Sequence, residues 1–268
     1  MRLQSQLCFF ACILLPCLTE VTEFKNCKEF FIRVPNINNQ GEQYKQICQF
    51  YNNAVRFATL YDTKRRIPVY SAYVFEDVSC QEPRPTPTWM IEPQLVDEKL
   101  QKNMMTAGQL KNPAVMQSQA VIEDYENSGF DKGHLVPVCH RSSKDSKIST
   151  FTLTNAVPQN PSFNRGKWRV QETELKAYIM KNCQKDQNNK PLAKLITGAI
   201  PGNNWVKVDR VNIPSRMWSA FTCVVNNTNV VFANIADNNQ TSNLKEISLT
   251  DLKNELKKHY NIDIFPFP

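Results

Sequence analysis

The sequence predicts a mixed α+β fold, in which helices flank a central sheet that is mostly antiparallel. Three short runs rich in β-branched and aromatic residues, at 195–200, 217–225 and 230–235, are bounded by Asn, Pro and Gly and are typical of strands. Residues 250–260 repeat their apolar side chains at the helical period and begin with a threonine that can cap the first turn. Strands that alternate irregularly with helices favour this fold class.

The first residues are typical of a secretory leader. An apolar run over residues 7–18 follows Arg2, precedes polar and acidic residues, and is too short to span a bilayer. We expect cleavage near Thr19, which leaves residues 20–268 as one domain because no linker or repeat divides them. A buried N-terminal helix is less favoured, since the run has no polar face. The later sequence lacks a membrane-helix pattern, so we predict a secreted protein free of the membrane.

Cysteine usage agrees with an oxidising compartment. Of nine cysteines, three lie in the leader, and the mature chain keeps Cys27, Cys48, Cys80, Cys139, Cys183 and Cys223. An even, widely spaced set without a Cys-x-x-Cys pair favours disulfides over zinc, and the sequence leaves the pairing open. Asn226 and Asn239 begin Asn-x-Thr sequons, which are compatible with secretion.

The mature chain is basic. Loss of Arg2 with the leader changes 32 basic side chains to 31 against 25 acidic ones, a net charge of +6. Such a surplus suits a polyanionic partner such as nucleic acid, although many secreted proteins share it. The oligomeric state is left open.

In chain order, the first predicted element is an amphipathic helix, because apolar residues fall at 44, 47, 48, 51 and 55. Residues 58–62 are predicted as a polar turn, and residues 67–75 as a hairpin of two strands. Residues 83–93 are rich in proline and predict an ordered surface loop.

The middle of the chain predicts a hairpin followed by a helix. His134 begins one apolar strand at 135–138, and residues 151–155 alternate as a second strand, which places His134 and Asn155 on the same side. A helix is expected from residue 163 or 164 through Ile179. At about 100° per residue, Asn164, Trp168 and Glu172 lie along one stripe of that helix. About 12 Å of helix rise separates Asn164 from Glu172, so both could hold one small ion only through water, as hydrated Mg²⁺ allows.

These residues carry a family resemblance. Asp131-Lys132-Gly133-His134, the run Leu-Thr-Asn-Ala-Val-Pro-Gln at 153–159, and Asn164, Trp168 and Glu172 at four-residue steps resemble the DNA/RNA non-specific endonuclease family. Residues 57–62, 67–73 and 89–95 further resemble its secreted endonuclease domain-containing 1 branch. The resemblance spans most of residues 24–260 and implies a ββα-metal core at the active site.

The resemblance also implies roles by position. His134 would be the general base that activates water, and Asn164 would hold Mg²⁺, with Mn²⁺ as the alternative ion. Glu172 would orient metal-bound water, and Asn155 would hydrogen-bond within the site, to the histidine or to a water. Arg84, in a looser match, would clamp a phosphate. The substrate would be DNA or RNA, cut to leave 5′-phosphate and 3′-hydroxyl ends.

One departure from the family concerns Lys132, which stands where the family usually has arginine. Lysine keeps the charge but loses the bidentate fork, so reduced activity or changed ionic requirements are expected. The alternative hypothesis is therefore a weak or inactive nuclease-fold module that binds nucleic acid or a protein. A zinc hydrolase is disfavoured, because the chain has three histidines and no His-x-x-x-His spacing.

Overall fold

A computed structural model describes residues 20–37, 41–76 and 84–260 of the chain. The predicted leader and Cys80 lie outside these ranges. A seven-stranded sheet, order β1-β2-β3-β6-β9-β10-β11, forms the centre, and every neighbouring pair is antiparallel. The described strands are β1 Tyr44–Tyr51, β2 Ala54–Asp62, β3 Ile67–Val74, β4 Asp131–His134, β5 Ala156–Gln159, β6 Ala193–Ile200, β7 Asn204–Val206, β8 Val211–Ile213, β9 Arg216–Val225, β10 Thr228–Asp237 and β11 Lys245–Glu246.

Helices lie on both faces of the sheet, and the described α-helices are α1 Ala107–Leu110, α2 Val115–Ser118, α3 Ile122–Tyr125, α4 Lys144–Ser149, α5 Pro161–Phe163, α6 Arg169–Asn182 and α7 Leu249–His259. Short 3₁₀ turns span Phe24–Phe30, Pro93–Leu95, Val138–His140 and Leu153–Asn155. None of the helices within the described ranges is long and apolar enough to cross a bilayer. The mixed α+β class is therefore confirmed, with a large antiparallel sheet at its centre.

The predicted helix at 44–55 is wrong, because this segment forms the β1–β2 hairpin. The turn lies at Asn52 and Asn53, whose φ angles of 47° and 60° suit a tight hairpin connection. A bulge between Gln49 and Phe50 interrupts the pairing, which disturbed the two-residue period and imitated a helical one. The polar turn predicted at 58–62 is likewise wrong, since these residues lie inside β2.

The two-stranded hairpin predicted at 67–75 is a single strand, β3. Helical layers cover both of its faces and bury seven of its eight residues, so the sequence shows a continuous apolar run without alternation. The strands predicted at 195–200, 217–225 and 230–235 are confirmed as β6, β9 and β10. The C-terminal helix is confirmed as α7, although Ser248 caps it instead of Thr250.

Two disulfides attach peripheral elements to the sheet. Cys27 pairs with Cys48 across 21 residues, and Cys183 pairs with Cys223 across 40 residues. In the chain-entropy account each closure stabilises the fold by about 3–4 kcal/mol. The second bond attaches the end of α6 to β9, which helps to hold α6 over one face of the sheet.

Two apolar layers on that face, separated by a polar row, position the candidate site. One layer supports the β4–β5 hairpin, and the other lies under the C-terminal half of α6. Between them run four hydroxyl residues in register across β2, β3, β6 and β9: Thr59, Ser71, Thr197 and Ser219. The opposite face packs against α7 and the Phe24–Phe30 turn.

Candidate active site

The site begins with the short β4–β5 pair. Asp131 lies opposite Gln159, and His134 lies opposite Ala156. The strands predicted at 135–138 and 151–155 are wrong, because residues 138–140 and 153–155 form 3₁₀ turns. The strands that pair here lie just outside the predicted ones, with β4 ending at His134 and β5 beginning at Ala156. A Cβ on Gly133 would lie 2.1 Å from Gln159 Oε1, so this position needs glycine for the two strands to pack.

His134 lies in an aromatic enclosure at the end of β4. Only 8% of the residue is exposed, and the rings of Trp89 and Phe151 lie 4.8 and 4.9 Å from the imidazole centroid. The main chain of Lys132 favours the protonated ring, whereas Nε2 is buried without a hydrogen-bond partner among the described residues. In the tautomer with the proton on Nδ1, this unpartnered Nε2 carries the lone pair.

The imidazole is uncharged at neutral pH. Burial lowers the pKa of His134 to about 3, and the positive charges of Arg84 and Lys132 act in the same direction. A neutral ring with an unpartnered basic nitrogen is the form that a general base requires.

Asn155 holds the main chain that follows His134. Its Oδ1 accepts from the Val136 amide at 3.0 Å, and its Nδ2 donates to the Thr150 carbonyl at 3.0 Å and the Val136 carbonyl at 3.3 Å. The Leu135 amide also donates to the Asn155 carbonyl. The buried amide thus ends β4 immediately after His134 and sets the direction of the chain there.

Asn164 follows a proline-initiated turn, α5, capped by the side chain of Asn160. Its Nδ2 donates to Asp131 Oδ2 at 2.9 Å, while no hydrogen bond from the described residues reaches its Oδ1. Arg165 forms an ion pair with the same carboxylate. Asp131 therefore orients the amide of Asn164 and fixes which end is free to contact a ligand.

The helix predicted from residue 163 to Ile179 exists, but Gly166 interrupts it with φ −101° and ψ −110°. Asn164 and Trp168 lie in a π-type segment, and Glu172 lies in the first turn of α6. The single helical stripe predicted for these three residues is therefore broken at Gly166.

The carboxyl group of Glu172 is in a poorly solvated position. Burial raises its pKa to about 8, against the opposing effects of Arg84, the Trp168 indole and Arg169. Arg84 acts on both His134 and Glu172, so it lies within electrostatic range of the two groups. Trp168 is itself buried, and its indole lies close enough to the Glu172 carboxyl group to favour the ionised form.

The two cations predicted from the sequence lie against the aromatic enclosure. The ammonium of Lys132 is 5.7 Å from the Trp89 ring centroid and 5.6 Å from that of Tyr125. The guanidinium of Arg84 is 5.4 Å from the Phe151 ring centroid. Cation–π contacts of this kind restrict a flexible side chain without neutralising its charge.

The structure adds four residues to the site that the sequence did not single out: Asp131, Gln159, Trp89 and Phe151. Asp131, Gln159 and Trp89 lie within the motifs that carry the family resemblance, which was the available signal for them. Gln159 is buried, and neither atom of its amide has a hydrogen-bond partner among the described residues. Phe151 carries no local pattern that could identify it.

The residues fit a hydrated divalent cation with few protein ligands. Within the described part of the chain, no three His, Cys, Asp or Glu side chains gather to hold a metal ion. The oriented amide oxygen of Asn164 offers one oxygen ligand, and Mg²⁺ commonly keeps several of its waters. The carboxyl group of Glu172 is suited to a water-mediated contact.

Comparisons with known proteins find relatives that match most of the chain. The human endonuclease domain-containing 1 protein is 32% identical over 216 residues, which cover 77% of this chain and 40% of the relative. The mouse protein of that name is 30% identical over 241 residues, or 88% of this chain and 46% of the relative. The chain thus spans less than half the length of these relatives.

A solved structure shows the same fold. The crystal structure of the EndoG/EndoGI complex superposes with a TM-score of 0.56 at 15% identity, over 79% of this chain and 83% of that one. Human mitochondrial endonuclease G is 43% identical over 51 residues, or 19% of this chain and 17% of that protein. A family model for the DNA/RNA non-specific endonuclease matches residues 38–263. The chain belongs to the DNA/RNA non-specific endonuclease family.

Proposed function

We propose that the protein is a secreted, metal-dependent endonuclease that hydrolyses phosphodiester bonds of DNA or RNA with little sequence preference. The observation that carries the proposal is the state of His134: buried among aromatic rings, uncharged, and with Nε2 unpartnered among the described residues. A catalytic base needs that combination, whereas a structural histidine normally has both ring nitrogens paired when buried.

In the proposed reaction, His134 Nε2 takes a proton from water as the water oxygen forms its bond to phosphorus. The bond from phosphorus to the 3′ oxygen breaks, its electron pair stays on that oxygen, and a solvent water supplies the proton, so the products carry 5′-phosphate and 3′-hydroxyl ends. Asn164 would hold Mg²⁺ or Mn²⁺ through Oδ1, and the ion would supply charge neutralisation at the phosphate. Glu172 would orient water near that position, and Asn155 keeps the chain beyond His134 in place.

Four basic residues support a nucleic-acid substrate. Lys132 lies on β4 with His134, and the exposed Arg165 and Arg169 lie on the segments that carry Asn164 and Glu172. The exposed Arg84 lies on a separate loop, within electrostatic range of His134 and Glu172. Such side chains contact backbone phosphates, which carry no base identity, so little sequence preference is expected. The two disulfides and the exposed sequon residues Asn226 and Asn239 support secretion.

The test is a plasmid-nicking assay on protein purified from culture medium, with Mg²⁺, with Mn²⁺ and with EDTA, on matched DNA and RNA. We expect metal-dependent cutting that falls by at least about 100-fold in His134→Ala. His259→Ala is the matched control, because His259 lies on α7, is 31% exposed and pairs with Glu255.

Two results would contradict the proposal. Cutting that persists unchanged in EDTA excludes the metal-dependent reaction. Nucleic-acid binding by anisotropy without cutting under any metal supports the alternative, an inactive binding module. N-terminal sequencing of the medium fraction tests secretion and the cleavage expected near Thr19.

A further inference from the structure

His140 makes a hydrogen bond to the main chain of Glu172, in the first turn of α6. Its Nε2 lies 2.9 Å from the main-chain oxygen of Glu172, and its Nδ1 lies 2.9 Å from the Tyr73 hydroxyl. A carbonyl can only accept, so Nε2 carries the proton and Nδ1 accepts from Tyr73. The residue is 1% exposed, and both ring nitrogens are used.

The chain of hydrogen bonds continues into the central sheet. Tyr73 lies on β3, so its hydrogen bond to His140 reaches the central sheet directly. One residue before Glu172, Gln171 Nε2 donates to Ser219 Oγ on β9 at 2.8 Å. Hydrogen bonds therefore attach the first turn of α6 to the sheet. This attachment lies at the polar row, and the layers on either side of that row pack by apolar contact.

His140 also belongs to the segment that begins at His134. The two histidines are six residues apart, and the 3₁₀ turn Val138–His140 follows the part of the chain that Asn155 holds. A bond from His140 to α6 therefore links the segment carrying the proposed base to the turn carrying Glu172. Hydrogen bonds weaken steeply with distance and angle, so this link defines a position more narrowly than apolar packing does.

We propose that His140, held by Tyr73, is a positioning residue that sets the place of Glu172 relative to His134. The inference rests on the proposed nuclease function. His140 does not touch the substrate in this scheme. Misplacement of a reacting or orienting group by about 1 Å can cost up to about 100-fold in rate, so loss of the link is expected to lower kcat.

The experiment compares four variants with the wild type, and each protein is the full chain as secreted. Tyr73→Phe removes the hydroxyl that orients His140, and we expect kcat to fall about 3- to 10-fold. His140→Leu removes the link, and a fall of about 10- to 100-fold is expected. His140→Gln can donate to the Glu172 carbonyl and accept from Tyr73, so it should recover kcat to within about 3-fold of the wild type. KM for nucleic acid should change little in all three.

Phe75→Leu is the matched control for general loosening of the core. Phe75 is buried, and its ring lies 5.3 Å from that of His140, without a hydrogen bond to it. We expect Phe75→Leu to lower Tm while it leaves kcat near the wild-type value. Melting curves for every variant separate loss of folded protein from loss of rate.

The inference is overturned if His140→Leu keeps wild-type kcat, if His140→Gln is no better than His140→Leu, or if Phe75→Leu lowers kcat equally. Active wild-type protein with any of these results leaves the proposed nuclease function standing. If the wild-type protein never cuts, both the nuclease function and the positioning role of His140 are overturned, since Glu172 would then have no catalytic position to keep.

Discussion

The amide nitrogen of Asn164 donates a 2.9 Å hydrogen bond to the carboxylate of Asp131, and this contact turns the amide oxygen of Asn164 away from β4. Arg165 shares the carboxylate, which lowers the pKa of Asp131 against the opposing effect of its burial. A charged acceptor thus fixes the orientation of the proposed metal ligand. An amide that could rotate would present nitrogen to a cation in part of its population.

Asp131→Ala should therefore weaken metal use more than it weakens folding. We expect the half-maximal Mg²⁺ concentration for cutting to rise by about 3- to 30-fold, a loss of about 0.6–2 kcal/mol in metal binding from the missing supporting contact. Tm should change little, because the Arg165 side chain is 73% exposed and such ion pairs contribute little stability. Metal titrations of the cutting rate are the measurement, with the exposed Glu123→Ala as control. An unchanged Mg²⁺ requirement contradicts this role for Asp131.

Gly133→Ala is expected to be damaging, because the new Cβ would overlap the side chain of Gln159, buried on β5. Displacement of β5 should lower the free energy of unfolding by about 1–3 kcal/mol. Cutting should fall at least about 10-fold, since the same strand pair carries His134. Gly108→Ala is the control, because nothing lies within 4 Å of a Cβ there. Urea unfolding and nicking rates give both quantities, and equal behaviour of the two variants would refute the packing argument.

Lys132→Arg should improve the use of substrate. Arginine restores a planar fork that can grip a phosphate through two bonds, and it can retain contacts with the Trp89 and Tyr125 rings. We expect KM for DNA to fall about 3- to 10-fold and the salt dependence of binding to change little. Lys132→Met, which removes the charge and keeps a long apolar chain, should raise KM. Steady-state kinetics at two salt concentrations check this, and a higher KM in Lys132→Arg would count against it.

The two buried histidines predict a loss of stability in acid. Burial lowers the pKa of His134 to about 3 and that of His140 to about 4, whereas the unfolded chain titrates near about 6.5. Between these limits each histidine binds more protons in the unfolded state than in the folded state, so its contribution to stability falls as the pH falls below about 6.5.

Each histidine should contribute a slope of about 1.4 kcal/mol per pH unit across that range. His134→Gln removes one of the two groups, so its free energy of unfolding should fall less steeply between pH 6.5 and 5 than that of the wild type. Urea denaturation at three pH values is the measurement. An identical slope in the variant would show that His134 is not held neutral.

The sequence by itself indicated the candidate residues of the site, and it determined the strands with strong local signals. Glycine, amide, imidazole and carboxyl groups in a fixed order pointed to one chemistry, and β6, β9, β10 and α7 have turn or capping residues at their ends. These signals depend only on neighbouring residues, so they can be read without knowing which strands and helices pack together. The Asn-Asn pair at 52–53, which adopts positive φ at a hairpin turn, was a local signal against the helix predicted there.

Only the tertiary structure decided how those residues meet. Layers on both faces buried β3 and removed the alternation that would have marked one strand, and a bulge gave β1 a misleading period. Packing also broke the predicted helix at Gly166. Two hydrogen bonds join segments about 30 residues apart: Asn164 donates to Asp131, and His140 donates to the Glu172 carbonyl. Such contacts form because a packed core brings distant polar groups to positions where each must find a partner, and no local pattern records which partner that is.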